Sequence, residues 1–176
     1  MKSSKALAIS LIKANSESEV ISLLTEAGYW NDPSCWRPLG DMENNYSIAG
    51  NQQASASGAL VENFINSTDH LLIDRCLVAG IDPSGSSAPQ SMAEAAKRFF
   101  SIPEGKLSNL TSKQRTQLSK NIGMVATGSK QNPSLTIFDS AEGQTPKMMP
   151  ETLLSLGKSN KINIRFVQGM HNMGGS

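Results

Sequence analysis

The sequence predicts an α+β fold in which helices pack on one face of a small, mostly antiparallel sheet. Helical patterns dominate the first 120 residues or so, and the clearest strand patterns follow them. Helices first and strands late favour segregated layers over an alternating parallel sheet. A chain of 176 residues is long enough for one domain with a proper core and short for two. We therefore predict one domain, preceded by an N-terminal extension.

Charge and cysteine usage exclude several function classes. The chain has 16 Lys and Arg against 15 Asp and Glu, so no basic excess favours a nucleic acid or an anionic membrane as partner. Cys35 and Cys76 are isolated from other metal ligands, which predicts two reduced thiols. Near the N-terminus, Ser10 and Lys13 interrupt an apolar run that otherwise imitates a signal peptide. We read a first helix there and expect a cytoplasmic protein.

Capping residues and helix breakers divide the chain into elements. Residues 29–53 are rich in Trp, Pro, Asn and Gly, which predicts an irregular connection pinned by Trp30 and Trp36. Two apolar runs joined by S-K-Q-N-P predict a β-hairpin whose second strand ends at Asp139, and a further strand is predicted over 162–167. Helices are predicted over about 4–14, 16–27, 54–79, 92–100, 111–120 and 150–156, with a loop over 81–91.

One stripe of polar residues lies on the longest predicted helix. At 3.6 residues per turn, Glu62, Asn66 and Asp69 share a narrow face that borders apolar side chains. A carboxylate and an amide four residues apart suit the activation of a water and the binding of a hydrated Mg²⁺. The alternative is an ordinary amphipathic helix with a few polar residues at its surface. The spacing alone leaves both interpretations open.

Two later features bear on the same chemistry. The predicted strand S-L-T-I-F delivers Asp139 to its end, where a carboxylate can accept a hydrogen bond from a ligand amine. The alternative is an Asp that simply opens a loop. Near the C-terminus, Lys158 or Lys161 and a run of glycines could approach phosphates, although terminal glycines are usually only flexible. His70 and His171 are assigned surface or packing roles.

Taken together and in this order, these features resemble the GHKL (Bergerat-fold) ATPase superfamily. That superfamily includes gyrase B subunits, heat-shock chaperones with an N-terminal ATPase, sensor histidine kinases and MutL proteins. The segment E-N-F-I-N-S-T-D is similar to its helix motif E-x-x-x-N-x-x-D, through Glu62, Asn66 and Asp69. The segment D-S-A-E-G is similar to its strand-end motif D-x-G-x-G, through Asp139 and Gly143, with Ala141 in place of the first glycine.

The resemblance implies a role for each matched residue. Glu62 is expected to be the general base for the attacking water, Asn66 the Mg²⁺ ligand and Asp139 the acceptor for the adenine amino group. Asp69 and Gly143 complete the two motifs. The segment S-N-K, ending at Lys161, is similar to a T-S-K stretch of the MutL branch, and G-M-H-N-M-G-G is similar to a phosphate-contacting lid hinge. Its glycines are Gly169, Gly174 and Gly175.

The resemblance also sets the expected organisation and partners. Residues 1–53 are an extension, and 54–176 are an incomplete ATP-binding domain with a helical insertion over about 83–120, as at the N-terminus of large bacterial ATP-binding proteins. The family continues with further strands, so we expect a truncated product, a fragment or half of a site that another chain completes. ATP and Mg²⁺ are the expected ligands, with a homodimer or completing chain as partner. The alternative is a non-catalytic interaction module that keeps the ATPase signature residues.

Overall fold

The structure is a computed structural model that describes residues 3–41, 56–152, 154 and 161–169. The α+β class predicted from the sequence is confirmed. Its elements, in chain order, are α1 (Ser4–Lys13), α2 (Glu17–Glu26), α3 (Ala56–Val78), α4 (Met92–Phe100), α5 (Ser112–Leu118), β1 (Ile122–Ser129) and β2 (Asn132–Asp139). The strands β1 and β2 pair as an antiparallel hairpin. Within the described residues, no helix is long and apolar enough to cross a membrane.

Local capping explains where the first two helices begin and end. The Ser3 hydroxyl accepts the N–H of Ala6 at 3.3 Å and begins α1. The Ser16 hydroxyl accepts the N–H of Glu19 at 3.2 Å and begins α2, as its sequence predicts. The Glu19 carboxylate accepts the N–H of Asn15, the residue before the cap, at 2.9 Å. Gly28 ends α2 with a φ of +82°, which glycine adopts without a side-chain clash.

The hydrophobic core forms between α3, α4 and the segment 161–169. Its buried members are Leu72, Cys76, Ala88, Ala95 and Phe166. Partly buried apolar side chains of these regions and of the loop between α3 and α4, which also supplies Ala88, pack around them: Ile73, Ile81, Met92, Phe99, Phe100, Ile164 and Val167. This cluster contains no residue of β1 or β2. The region that carries the predicted site is therefore held by helices and by the segment 161–169.

The strand predicted over 162–167 is wrong. The described residues 161–169 form turns, and the N–H of Ile164 donates to the carbonyl of Lys161 at 2.9 Å. Alternating apolar residues suggested a strand, but Ile162 is 68% exposed while Phe166 is fully buried. Two amides later in the segment donate to a side chain of α3 instead of to a neighbouring strand. These amide hydrogens are therefore bound by a distant side chain and not by the backbone of a neighbouring strand.

The helix predicted over 150–156 is also wrong where it can be compared. A 3-10 turn covers Met149–Glu151, and Thr152 leaves the helical region with φ −122° and ψ −88°. Residues 153 and 155–157, including the glycine expected to close that helix, lie outside the described residues. Pro150 suits the first turn of a helix because its missing N–H costs nothing there. Among the residues described here, a single 3-10 turn follows.

The described residues divide into two compact units. One unit contains residues 3–38 together with the outer part of the hairpin, residues 124–136. The other unit contains the remaining described residues. In that first unit, Trp30 and Trp36 meet edge to face with ring centroids 5.6 Å apart. The Trp36 indole N–H donates to the carbonyl of Tyr29 at 2.9 Å. The irregular connection predicted from residue 29 contains two short 3-10 segments, Pro33–Cys35 and Leu39–Asp41, and the rest of the predicted range, 42–53, lies outside the described residues.

Candidate functional site

Asp69 is the most deeply buried charged residue of the predicted constellation. It lies on α3 with no exposed surface. Its Oδ1 accepts the N–H of Gln168 at 3.0 Å, and its Oδ2 accepts the N–H of Gly169 at 2.8 Å. The Lys161 ammonium lies 3.4 Å from the same Oδ2. A buried carboxylate is stable only when such donors replace water, so Asp69 pins the segment 161–169 to α3.

Asn66 lies one turn before Asp69 and contacts the same segment. Its Oδ1 is 3.4 Å from the Lys161 Nζ, so one ammonium bridges the amide and the carboxylate. The Lys161 side chain is only 13% exposed. Gly169 packs closely here, because a Cβ at this position would lie 2.9 Å from the Asn66 Oδ1 and 3.0 Å from the Asp69 Oδ2. Glycine lets the backbone come this near to both side chains, whereas a Cβ would require the Asn66 side chain to shift.

Glu62 lies one further turn towards the start of α3. Its side chain is half-buried. Within the described part of the chain, its carboxylate has no hydrogen-bond or ion-pair partner. An unpaired, half-buried carboxylate remains available to a water or a ligand proton. Glu62 therefore shares the face of Asn66 without joining its hydrogen-bond cluster.

Asp139 ends β2, as the sequence predicts. It is half-buried, and its Oδ1 accepts the N–H of Ala141 at 3.1 Å. The next residue anchors the backbone, because the N–H of Ser140 donates to the carbonyl of Asn121 at 2.9 Å. No donor among the described residues reaches the second carboxylate oxygen, Oδ2. Gly143 follows with a φ of +75° and open space where a Cβ would stand.

His70 is half-buried on α3, close to charges from three regions of the chain. Burial lowers the pKa of its imidazole below the ordinary value, and the positive charge of Lys161 lowers it further. The carboxylates of Asp139 and Asp69 act in the opposite direction. His70 therefore lies in the electrostatic field of α3, of the end of β2 and of the segment 161–169 at once. Its spacing of four residues from Asn66, on the same helix face, was the available signal.

The structure brings part of the predicted set into direct contact. Asn66, Asp69, Lys161 and Gly169 form one cluster, which we call the α3 clamp. Glu62, Asp139 and Gly143 lie outside it, and Gly174 and Gly175 lie outside the described residues. Across the described ranges, no group of three or more His, Cys, Asp or Glu could hold a metal ion. Cys35 and Cys76 are both free thiols, the first exposed and the second buried.

Comparison of the chain with known proteins found no match. No family model matches the chain, and neither a curated protein nor a solved structure matches it. The class that the fold and the site define is thus an α+β protein in which a buried carboxylate clamps a C-terminal segment onto a central helix. Any functional assignment rests on the geometry of the residues themselves.

Proposed function

We propose that the chain binds ATP through a GHKL-type site. The observation that carries this proposal is the α3 clamp, in which residues about a hundred positions apart meet in the order that the resemblance requires. Asn66 and Asp69 of the helix motif contact Lys161 and Gly169 of the segment assigned to the phosphate side. The cluster brings together an amide, a carboxylate and an ammonium, and such groups suit a metal-bound phosphate ligand.

The chemistry of these side chains fits a magnesium–nucleotide ligand. The Asn66 Oδ1 is a hard oxygen donor of the kind that Mg²⁺ accepts, and the nearby Lys161 ammonium is attracted to phosphate oxygens. Asp139 keeps one carboxylate oxygen for the adenine amino group, because the other accepts the N–H of Ala141. Magnesium would neutralise charge on the phosphates when bound. Glu62 is the residue that would take a proton from water.

The contacts refine the role of Asp69. Its Oδ1 accepts the N–H of Gln168, its Oδ2 accepts the N–H of Gly169 and faces Lys161, and the residue has no exposed surface through which a nucleotide could reach it. In this proposal Asp69 is a positioning residue. It keeps Lys161 and Gly169 against Asn66, where they can act on phosphates together.

A titration of the purified chain with a fluorescent ATP analogue and Mg²⁺ tests the proposal. Asp139→Asn should weaken binding by at least about tenfold, because the amide cannot present the same charged acceptor to the adenine amino group. Asp82→Asn is the matched control, since the Asp82 Oδ1 also accepts the N–H of the residue two positions on, at 2.9 Å. Equal affinity of both variants and the native chain would contradict the assignment of Asp139.

A second candidate is a non-catalytic interaction module. The favouring observation is that Glu62 stands apart from the α3 clamp, while the clamp already satisfies Asn66 and Asp69 internally. Under this alternative, Glu62→Ala changes neither nucleotide affinity nor turnover. Under the ATPase proposal, the same variant keeps the affinity and loses most of the turnover. Measuring both quantities on one variant separates the two candidates.

A further inference from the structure

A cavity lined by both polar and apolar groups lies between the loop that joins α3 to α4 and the segment 161–169. Its volume is about 490 Å³, which is within the usual range for small-molecule sites. Residues 83–86 and 88–90 of the loop form one wall, and Asn163 and Arg165 form the other. None of the residues assigned to the nucleotide lines it. The cavity is therefore a separate candidate site.

The charge of the lining favours an anion. Arg165 is the only charged side chain among the described lining residues, and hydroxyl and amide groups of Ser84, Ser86 and Asn163 supply further donors. Two carboxylates that are not in the lining each accept the backbone N–H of a lining residue. The Asp82 Oδ1 accepts the N–H of Ser84 at 2.9 Å, and the Glu94 Oε2 accepts the N–H of Gln90 at 2.9 Å.

The Arg165 guanidinium is held in place at the wall. Its Nη1 donates to the Gln90 Oε1, and the Gln90 Nε2 donates in turn to the carbonyl of Ala88 at 2.8 Å. Among the described residues, no acceptor occupies its other N–H groups. A planar guanidinium with free donors in a fixed direction suits the geometry of a phosphate or carboxylate group.

Hydrogen bonds within the chain hold the loop in place. The N–H of Gly85 donates to the carbonyl of Asp82 at 2.9 Å, and the Arg98 Nη1 donates to the carbonyl of Ser87 at 3.0 Å. Ala88 and Pro89 are buried beneath the cavity. Because these contacts within the chain hold the wall, little ordering would be needed on binding.

We propose that this cavity binds the phosphate group of a small phosphate monoester, with Arg165 as the anchoring residue. A phosphate offers three acceptor oxygens to donors that stand on two walls, whereas a carboxylate offers two. The guanidinium reaches the group from one wall, and the hydroxyls of Ser84 and Ser86 reach it from the other. The volume beyond one phosphate accommodates the organic part of the ester. This site is independent of the proposed nucleotide site.

Phenyl phosphate is a suitable probe, titrated into the full chain while backbone amide signals are followed by nuclear magnetic resonance. We expect saturable shifts confined to residues 83–90 and 161–169. Arg165→Gln should weaken the affinity by about tenfold or more, because a hydrogen bond to a charged group is lost. Arg115→Gln is the matched control. Arg115 is also exposed and donates to one acceptor, the carbonyl of Ser108, but does not line the cavity.

A second variant covers the case in which Arg165→Gln disturbs the fold. Ser86 is exposed, and Ser86→Glu places a carboxylate at the cavity wall, where it should repel the phosphate and abolish the shifts. Benzoate titrated into the native chain should bind at least about tenfold more weakly than phenyl phosphate. Saturation that survives in both variants, or benzoate that binds as tightly, would overturn the proposal. Arg165→Gln should leave binding of the fluorescent ATP analogue unchanged, so failure of one site does not imply failure of the other.

Discussion

Asp69→Asn is the sharpest test of the α3 clamp. Asparagine has nearly the same shape but keeps only one acceptor oxygen, so the N–H of Gln168 or of Gly169 must face an NH₂ group. A buried donor left without an acceptor costs about 1–3 kcal/mol. Lys161, only 13% exposed, also loses its charge partner, and removing one member of a buried ion pair costs about 3–5 kcal/mol. Lys161 retains Asn66, so we expect a combined loss of about 3 kcal/mol in the free energy of unfolding.

The loss should be measured by urea unfolding followed by far-ultraviolet circular dichroism. Both tryptophans lie in the other compact unit, whereas the circular dichroism signal includes the 23 residues of α3 directly. For a chain of this length, 3 kcal/mol corresponds to a fall of about 6–12 °C in the melting temperature. Asp74→Asn, on the same helix and without a partner among the described residues, is the control and should change stability by less than about 0.5 kcal/mol. A loss below about 1 kcal/mol for Asp69→Asn would refute the clamp as described.

Three further predictions concern close packing, protonation and thiol access. Gly169→Ala should cost about 1–3 kcal/mol in urea unfolding, because its Cβ would lie 2.9 Å from the Asn66 Oδ1; an unchanged midpoint would contradict that approach. Burial lowers the pKa of His70 in the folded chain, so during acidification the imidazole of the unfolded chain binds its proton at a higher pH than that of the folded chain. The free energy of unfolding should therefore fall as the pH drops below 6.5. His70→Gln should flatten that part of the stability profile, and an identical profile would argue against burial of the imidazole. A thiol reagent should label the exposed Cys35 in the native chain and the buried Cys76 only after denaturation. Equal labelling rates for the two thiols in the native chain would contradict the burial of Cys76 in the core.

Local signals in the sequence were sufficient for most of the secondary structure. Ser16 and Glu19 predicted the start of α2, Gly28 its end, and both were found because caps depend on neighbours within four residues. The hairpin ending at Asp139 was also found, since alternation and a short turn are local features. The helix phase correctly put Asn66 and Asp69 on one face.

The sequence alone could not determine what the segment 161–169 does. Its alternating apolar residues are compatible with a strand or with an extended turn, and the choice depends on which groups accept its amide hydrogens. In the folded chain, Asp69 accepts two of them while Phe166 fills the core between α3 and α4. The environment of His70 likewise depends on charges that approach from distant parts of the chain.

The sequence by itself determined the α+β class, the positions of most helices and the hairpin, and the face shared by Glu62, Asn66 and Asp69. These features follow from capping, periodicity and turn chemistry, which act over a few residues. Only the tertiary structure decided that Asp69 is a buried clamp for Lys161 and Gly169. A carboxylate can lose its hydration only where distant donors converge on it, and no local pattern specifies that convergence.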